Sequence, residues 1–159
     1  MSVHIDTRKI IKEWIDYNGH MNMAYYVLIF DQAWENILNK FQMGGEKAEE
    51  SKRTTMVVET RTTYDSEVKE GDEVEVYVSY FDHDKKRLHL KCEMYEKKTK
   101  KLSATMENLS LYIDLDIRKV TEFEDEKVKI MDEFIDKNKV DFKIENLMFK
   151  EKLKKSYAS

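Results

Sequence analysis

A chain of 159 residues with 28 basic and 32 acidic side chains, net charge −4, is long enough for one domain that buries roughly two thirds of its unfolded surface. It lacks the basic excess of a nucleic-acid binder. Its one cysteine, Cys92, excludes an intrachain disulfide and a thiolate zinc cluster. No apolar run reaches the ~20 residues of a membrane span, and Met1 to Lys9 lack the apolar stretch of a secretion signal. A cytoplasmic protein with neither nucleic-acid nor membrane partners is expected, and the basic runs Lys85-Lys86-Arg87 and Lys97 to Lys101 read as solvated hairpin tips.

Residues Thr7 to Ile15 mix Ile10, Ile11, Trp14 and Ile15 with polar neighbours. This predicts a short strand that delivers the chain to a polar turn, Asp16-Tyr17-Asn18-Gly19-His20-Met21-Asn22. In Tyr25 to Phe41, apolar residues Tyr26, Phe30, Ala33, Trp34, Ile37, Leu38 and Phe41 recur at helical spacing, and Val27, Leu28 and Ile29 extend the apolar surface round the helix, so other elements should enclose it. Asn22 is placed to cap its start. Gly44-Gly45 then reads as a left-handed helix end, and Glu46 to Arg53 as a polar surface loop placed to act as a lid.

From Thr54 onward the pattern is that of strands: Thr54 to Tyr64, Val74 to Tyr80, Leu88 to Met94 and Leu109 to Leu115, separated by turn residues at antiparallel-hairpin distances. One enclosed helix followed by four long strands makes an α+β domain. Val128, Met131, Phe134 and Ile135 predict a further helix over 125–136. Residues 1–123 are read as the domain and 124–159 as a C-terminal helical extension, whose packing partner the pattern leaves open.

The polar turn gathers Asp16, Asn18 and His20 beside a capped helix start, where free amide donors suit an oxygen that gains negative charge during a reaction. A purely structural reading stands beside this one, since Asp and Asn form turns and Asn22 needs no role beyond the cap. Glu107 shares a strand face with Leu109, Leu111 and Ile113 and is expected to point inward; Glu59 follows Val57-Val58. Each is either a substrate contact or half of an ion pair, with Arg61 as a candidate partner. His4, His83 and His89 lack metal-ligand spacing.

The turn from Asp16 to Asn22, followed by Tyr25-Tyr26 and an enclosed helix, resembles the active-site opening of hotdog-fold acyl-CoA thioesterases of the 4-hydroxybenzoyl-CoA thioesterase kind. It is most similar to their betainyl-CoA thioesterase branch, which Val57-Val58-Glu59-Thr60, His83-Asp84-Lys85-Lys86-Arg87-Leu88-His89 and Leu109-Ser110-Leu111 also resemble. The similarity spans about Asp6 to Phe123. It implies a long central helix wrapped by a curved antiparallel sheet, a homodimer or dimer of dimers with sites at the seam, and an acyl-CoA substrate with a short or polar acyl group. No cofactor is implied.

By the same resemblance a carboxylate matching Asp16 attacks the thioester or activates water, and a helix-start amide matching that of Met23 polarises the carbonyl. Asn18 and His20 match an Asn and a His of plant acyl-carrier-protein thioesterases, although Tyr17, Gly19 and Met21 differ from the residues between them. His20 would orient Asp16 or protonate the departing thiolate, Asn18 would hold water or carbonyl, and Asn22, Met23, Tyr26, Glu59 and Glu107 would line the substrate. In a partly dry seam the Asp16 pKa should be raised. A betaine group would call for an aromatic cage or a carboxylate, with Tyr17, Tyr25, Tyr26, Trp34 and Tyr64 as aromatic candidates. The alternatives are a non-catalytic acyl- or CoA-binding module and a hotdog hydratase. The hydratase is disfavoured because its Asp and His stand five apart around a proline, whereas here they stand four apart in a chain without proline.

Overall fold

The computed structural model describes residues 2–155. Strand β1 (Val3–Lys9) leads through a 3-10 turn (Lys12–Trp14) to helix α1 (Met23–Lys40), short helix α2 (Gly45–Ser51), and strands β2 (Arg53–Tyr64), β3 (Glu73–His83), β4 (Arg87–Glu96), β5 (Leu102–Asp114) and β6 (Lys119–Val120). Helix α3 (Asp125–Asn138) follows. The strands form one antiparallel sheet in the order β1-β3-β4-β5-β2, with β6 on the end of β5. The expected architecture is therefore present. The pleat directs Val74, Val76, Val78, Leu88, Leu90, Cys92, Met94, Ala104, Met106 and Tyr112 into one core with Tyr26, Ile29, Phe30, Ala33, Trp34, Ile37 and Leu38 of α1.

Three local expectations are corrected. The first strand lies earlier than Thr7 to Ile15: it ends at Lys9, and Ile11 to Ile15 coil into the 3-10 turn. The left-handed end of α1 falls on Gln42 (φ 59) rather than on Gly44-Gly45. There Gln42 N donates to Asn39 O at 3.1 Å and Met43 N to Leu38 O at 2.8 Å, a pair of bonds that closes the last turn while buried Met43 covers the helix end. Gly44 is needed for space instead, because a Cβ there would lie 1.8 Å from Asn39 Oδ1. Its neighbour begins α2, where the Glu35 carboxylate accepts from Gly45 N at 2.6 Å. The expected loop over Glu46 to Arg53 is thus mostly helix, held by buried Ala48.

The C-terminal segment packs on the domain. Phe134 of α3 meets Phe41 and Phe81 edge-on at 5.3 and 5.7 Å, closing one end of the core. The chain then crosses the face of the sheet opposite α1. Lys143 N donates to Ser79 O at 2.9 Å, Met148 N and Phe149 N donate to the Glu107 carboxylate, and Lys154 N donates to Asp84 Oδ2 at 2.7 Å.

Asp84 is buried and also accepts from Lys86 N, Arg87 N and the Arg87 guanidinium. Burial alone would raise its pKa, but the donors from Lys154, Lys86 and Arg87 outweigh it and hold the carboxyl below its ordinary value. A depressed folded-state pKa contributes stability above the unfolded value of 3.8 that is lost as pH falls through the folded value. Asp84→Asn is expected to cost about 1.5–3 kcal/mol at neutral pH. The gap in urea midpoint between variant and parent should narrow progressively below pH 3.8.

Candidate active site

The polar turn is a small closed loop. Ile15 bridges Met21, Asp16 N donates to His20 O at 3.2 Å, Gly19 N donates to Asp16 O at 3.0 Å, and Asn18 N donates to Asp16 Oδ1 at 2.8 Å. Two further bonds seat the loop on the domain: Met21 N to Val68 O and Asn22 N to Trp14 O, each 2.9 Å. Trp14 in turn stacks on Tyr25 in the first turn of α1, with ring centroids 5.8 Å apart.

Asn22 joins the turn to the helix. Its Oδ1 accepts from Ala24 N and its Nδ2 donates to Asp16 Oδ2, both at 3.0 Å, so the predicted cap also fixes the carboxylate. Among the described residues the Met23 N–H meets no acceptor, leaving one free donor at the positive end of an 18-residue helix. The pKa expectation for Asp16 is corrected in the isolated chain. The hydrogen bond from Asn22, then that from Asn18 N, holds it below the ordinary value, so Asp16 is a carboxylate at neutral pH.

The structure gathers Asp16, Asn18, His20, Asn22, Met23 and Tyr26 around this loop. The His20 side chain does not bond to Asp16: its Nδ1 lies 3.0 Å from Met21 O and its Nε2 3.8 Å from Glu67. Tyr26 is buried, with its hydroxyl donating to Ser66 O and accepting from Val68 N at 3.3 Å each. His20, Met23 and Tyr26 line a cavity of about 330 Å³ with Tyr64 and Glu67. The two glutamates lie elsewhere. Glu59 is exposed on edge strand β2 without an ion pair among the described residues. Glu107 faces away from α1, because even-numbered residues of β5 take the inner face, and it binds the C-terminal segment.

A larger cavity, about 450 Å³, opens between α1 and the sheet from Ala24 onward, and its apolar wall includes Val27, Leu28, Trp34, Val57, Leu90 and Met106. Asp31, Thr60 and Asn108 are its polar members. The sequence reading missed Asp31. Its signal was present, since Asp31 is the only charged residue in the otherwise uncharged start of α1, Met23–Trp34. Among the described residues it has no ion pair or side-chain hydrogen bond.

Gly19 has φ +82, and a Cβ there would meet nothing within 4 Å. Its role is therefore the backbone angle, not close approach. Gly19→Ala should cost ~1–2 kcal/mol of strain and several-fold in turnover, while Gly19→Asn, which tolerates the left-handed region, should keep most of both. Thermal unfolding and kcat of the two variants check this.

The thioesterase-like superfamily model matches residues 11–145, which contain the turn, α1 and strands β2 to β6. The chain belongs to this superfamily. The chain is 32% identical over 117 residues to the betainyl-CoA thioesterase of Pseudomonas aeruginosa, 74% of each chain. In structure it is similar to a hypothetical protein of Staphylococcus aureus solved in complex with CoA, at TM-score 0.81 and 23% identity over 93% of this chain and 91% of that one. It is similar also to a 1,4-dihydroxy-2-naphthoyl-CoA thioesterase from Synechocystis, at TM-score 0.71 and 14% identity over 79% and 93%. The helix-in-sheet arrangement is the hotdog fold. Among the described residues no helix is long and apolar enough to cross a membrane.

Proposed function

We propose that the thioesterase hydrolyses acyl-CoA with Asp16 as the attacking or proton-accepting group, and that its acyl group is short and cationic. The observation that carries the reaction is the pairing of a fixed carboxylate with a free helix-start amide: Asn22 ties Asp16 to the end of α1 at which the Met23 N–H is unpaired. In the water route, the Asp16 carboxylate takes a proton as the water oxygen bonds to the thioester carbon. The carbonyl oxygen becomes an oxyanion, which the Met23 N–H stabilises, a term of ~3–4 kcal/mol for one well-placed donor. The C–S bond then breaks, and the thiolate takes a proton from Asp16 or from His20. In the nucleophile route the carboxylate itself bonds to the carbon, the C–S bond breaks and the thiolate leaves with a proton from His20 or solvent, and water later cleaves the mixed anhydride to the free acid and the Asp16 carboxylate. Asn18, exposed at the tip of the loop, holds the water or the carbonyl.

The cavity beside Ala24 supports the acyl assignment. Asp31, exposed at the mouth of the otherwise apolar chamber and without a cationic partner among the described residues, disfavours an anionic guest and favours a cation, and Trp34 adds an aromatic wall to the same space. The betainyl-CoA thioesterase relative fits this reading. Two copies of the chain are proposed to meet across the β2 edge and close the seam over Asp16, with Glu59 on that edge near the entering substrate. Release of free thiol from a panel of acetyl-, benzoyl- and betainyl-CoA tests the function, with the highest kcat/KM expected for betainyl-CoA. Stoichiometric binding without turnover would instead make the chain an acyl-CoA-binding module.

A further inference from the structure

The face of the sheet opposite α1 holds a cluster that the reaction does not use. Glu107, 1% exposed, receives Met148 N at 2.8 Å, Phe149 N at 2.9 Å and His89 Nε2 at 2.7 Å. Two consecutive backbone amides of the C-terminal segment thus converge on one buried carboxylate. Phe149, itself buried, covers the His89 ring at 6.2 Å, and His89 Nδ1 has no partner among the described residues. Among the described residues Glu107 is therefore the only hydrogen-bond partner of the imidazole, which also packs against Tyr80 at 5.1 Å.

The position of the cluster decides what it does. Leu90 and Cys92 of β4 and Met106 and Asn108 of β5 line the 450 Å³ chamber, and these residues pair across the two strands as Leu90 with Asn108 and Cys92 with Met106. His89 and Glu107 alternate with them along the same strands and point the other way. Further backbone anchors of the C-terminal segment attach elsewhere, at Ser2, at Ser79 in β3 and at Asp84 in the β3–β4 turn. Of these backbone anchors, only that at Glu107 lies on a strand that lines the chamber.

We propose that the C-terminal segment is a strap that sets the back wall of the acyl chamber, and that Glu107 is its latch, a positioning residue for acyl selectivity. A buried carboxylate stripped of its donors is costly. Detaching the strap draws Glu107 toward water, and on a pleated strand Met106 and Asn108 move with it. This rests on the thioesterase reading for its consequence but not for its geometry.

Full-length Glu107→Gln, which removes the charge at nearly constant size, and Phe149→Ala, which alters only the strap, provide the test. Amide exchange is followed at residues 144–154 and at 89–92 and 105–109, alongside steady-state kinetics on acetyl-CoA and benzoyl-CoA. Both variants are expected to speed exchange in the strap and in the two strand segments. They should also change the benzoyl-to-acetyl ratio of KM by about five-fold or more while kcat for acetyl-CoA holds. Lys155→Ala, which loses the strap's contact to Asp82 in β3 but keeps the latch, should leave the ratio unchanged. An unchanged ratio and unchanged strand exchange in Phe149→Ala overturn the proposal, and that variant decides alone where Glu107→Gln does not fold. Should the parent release no thiol from any acyl-CoA, the thioesterase reading fails, and strand exchange still decides the latch.

Discussion

Asp16→Asn is expected to lower kcat for acyl-CoA hydrolysis by ~10²–10⁴, because an amide neither takes a proton from water nor attacks a carbonyl. The variant does more than remove a charge. Asp16 accepts from Asn18 N on one oxygen and from Asn22 Nδ2 on the other; an amide that keeps the first bond turns its NH2 toward the NH2 of Asn22. Relief by rotation of Asn22 would sacrifice its bond to Ala24 N. A lower melting temperature should therefore accompany the lost activity, and the exchanged pair Asp16→Asn/Asn22→Asp separates the two effects. In that pair the amide now at position 16 donates to the carboxylate now at position 22. The same carboxylate accepts from Ala24 N, and Asp caps helices as well as Asn, so stability should return. The negative charge has moved one side chain along, and activity should not return. Recovery of kcat together with melting temperature in the exchanged pair would make Asp16 a turn former only.

The legible parts of the sequence were those governed by a period. Apolar residues every three or four positions marked α1, and alternation marked β2 to β5, because burial on one face is written directly into residue order. The cap at Asn22 was legible for a similar reason, since it depends on residues two positions apart. What failed was set by contacts distant in sequence. Glu107 lies 41 residues from Met148, and nothing in β5 announced that the C-terminal segment would cover its other face. Parity misplaced it as well: odd positions of β5 were read as the inner face because Leu109 and Ile113 are apolar, yet they too face away from α1, toward the C-terminal segment's side of the sheet. Gly44-Gly45 drew the helix end too far along the chain, since a buried Met43 over the closing turn stabilised Gln42 in a conformation usually left to glycine. Asp31 was overlooked because a lone carboxylate on a helix surface is ordinary. Only the folded cavity shows that its surroundings are apolar.

Val58→Asp is expected to convert the proposed dimer to monomer and to abolish most activity while leaving the chain folded. Edge strand β2 exposes Val57 and Val58 at 49% and 53%, and a bulge between Val57 and Glu59 interrupts the ladder at Val58. An edge with open backbone groups and apolar side chains invites pairing with another strand. In the same region Met23 and Val27 of α1 are also exposed, so an apolar surface continues from the strand to the helix that carries the free amide. Within one chain Val58 is a surface residue, and its substitution should cost little folding stability. In a two-fold interface the change is made twice. Losing the burial of two valines, at ~1.5–3 kcal/mol each, removes on the order of 3–6 kcal/mol and weakens association by ~10²–10⁴. Sedimentation at micromolar concentration should show no stable monomer for the parent and monomer for the variant, with unchanged circular dichroism. The loss of activity follows from exposure. Tyr17 in the loop that carries Asp16 is 97% exposed in the single chain, so in the proposed mechanism bulk water reaches the oxyanion position without a second copy and weakens the Met23 donor. A folded Val58→Asp monomer that turns over at the parental rate would show that one chain holds the whole site, and would remove the seam from the mechanism.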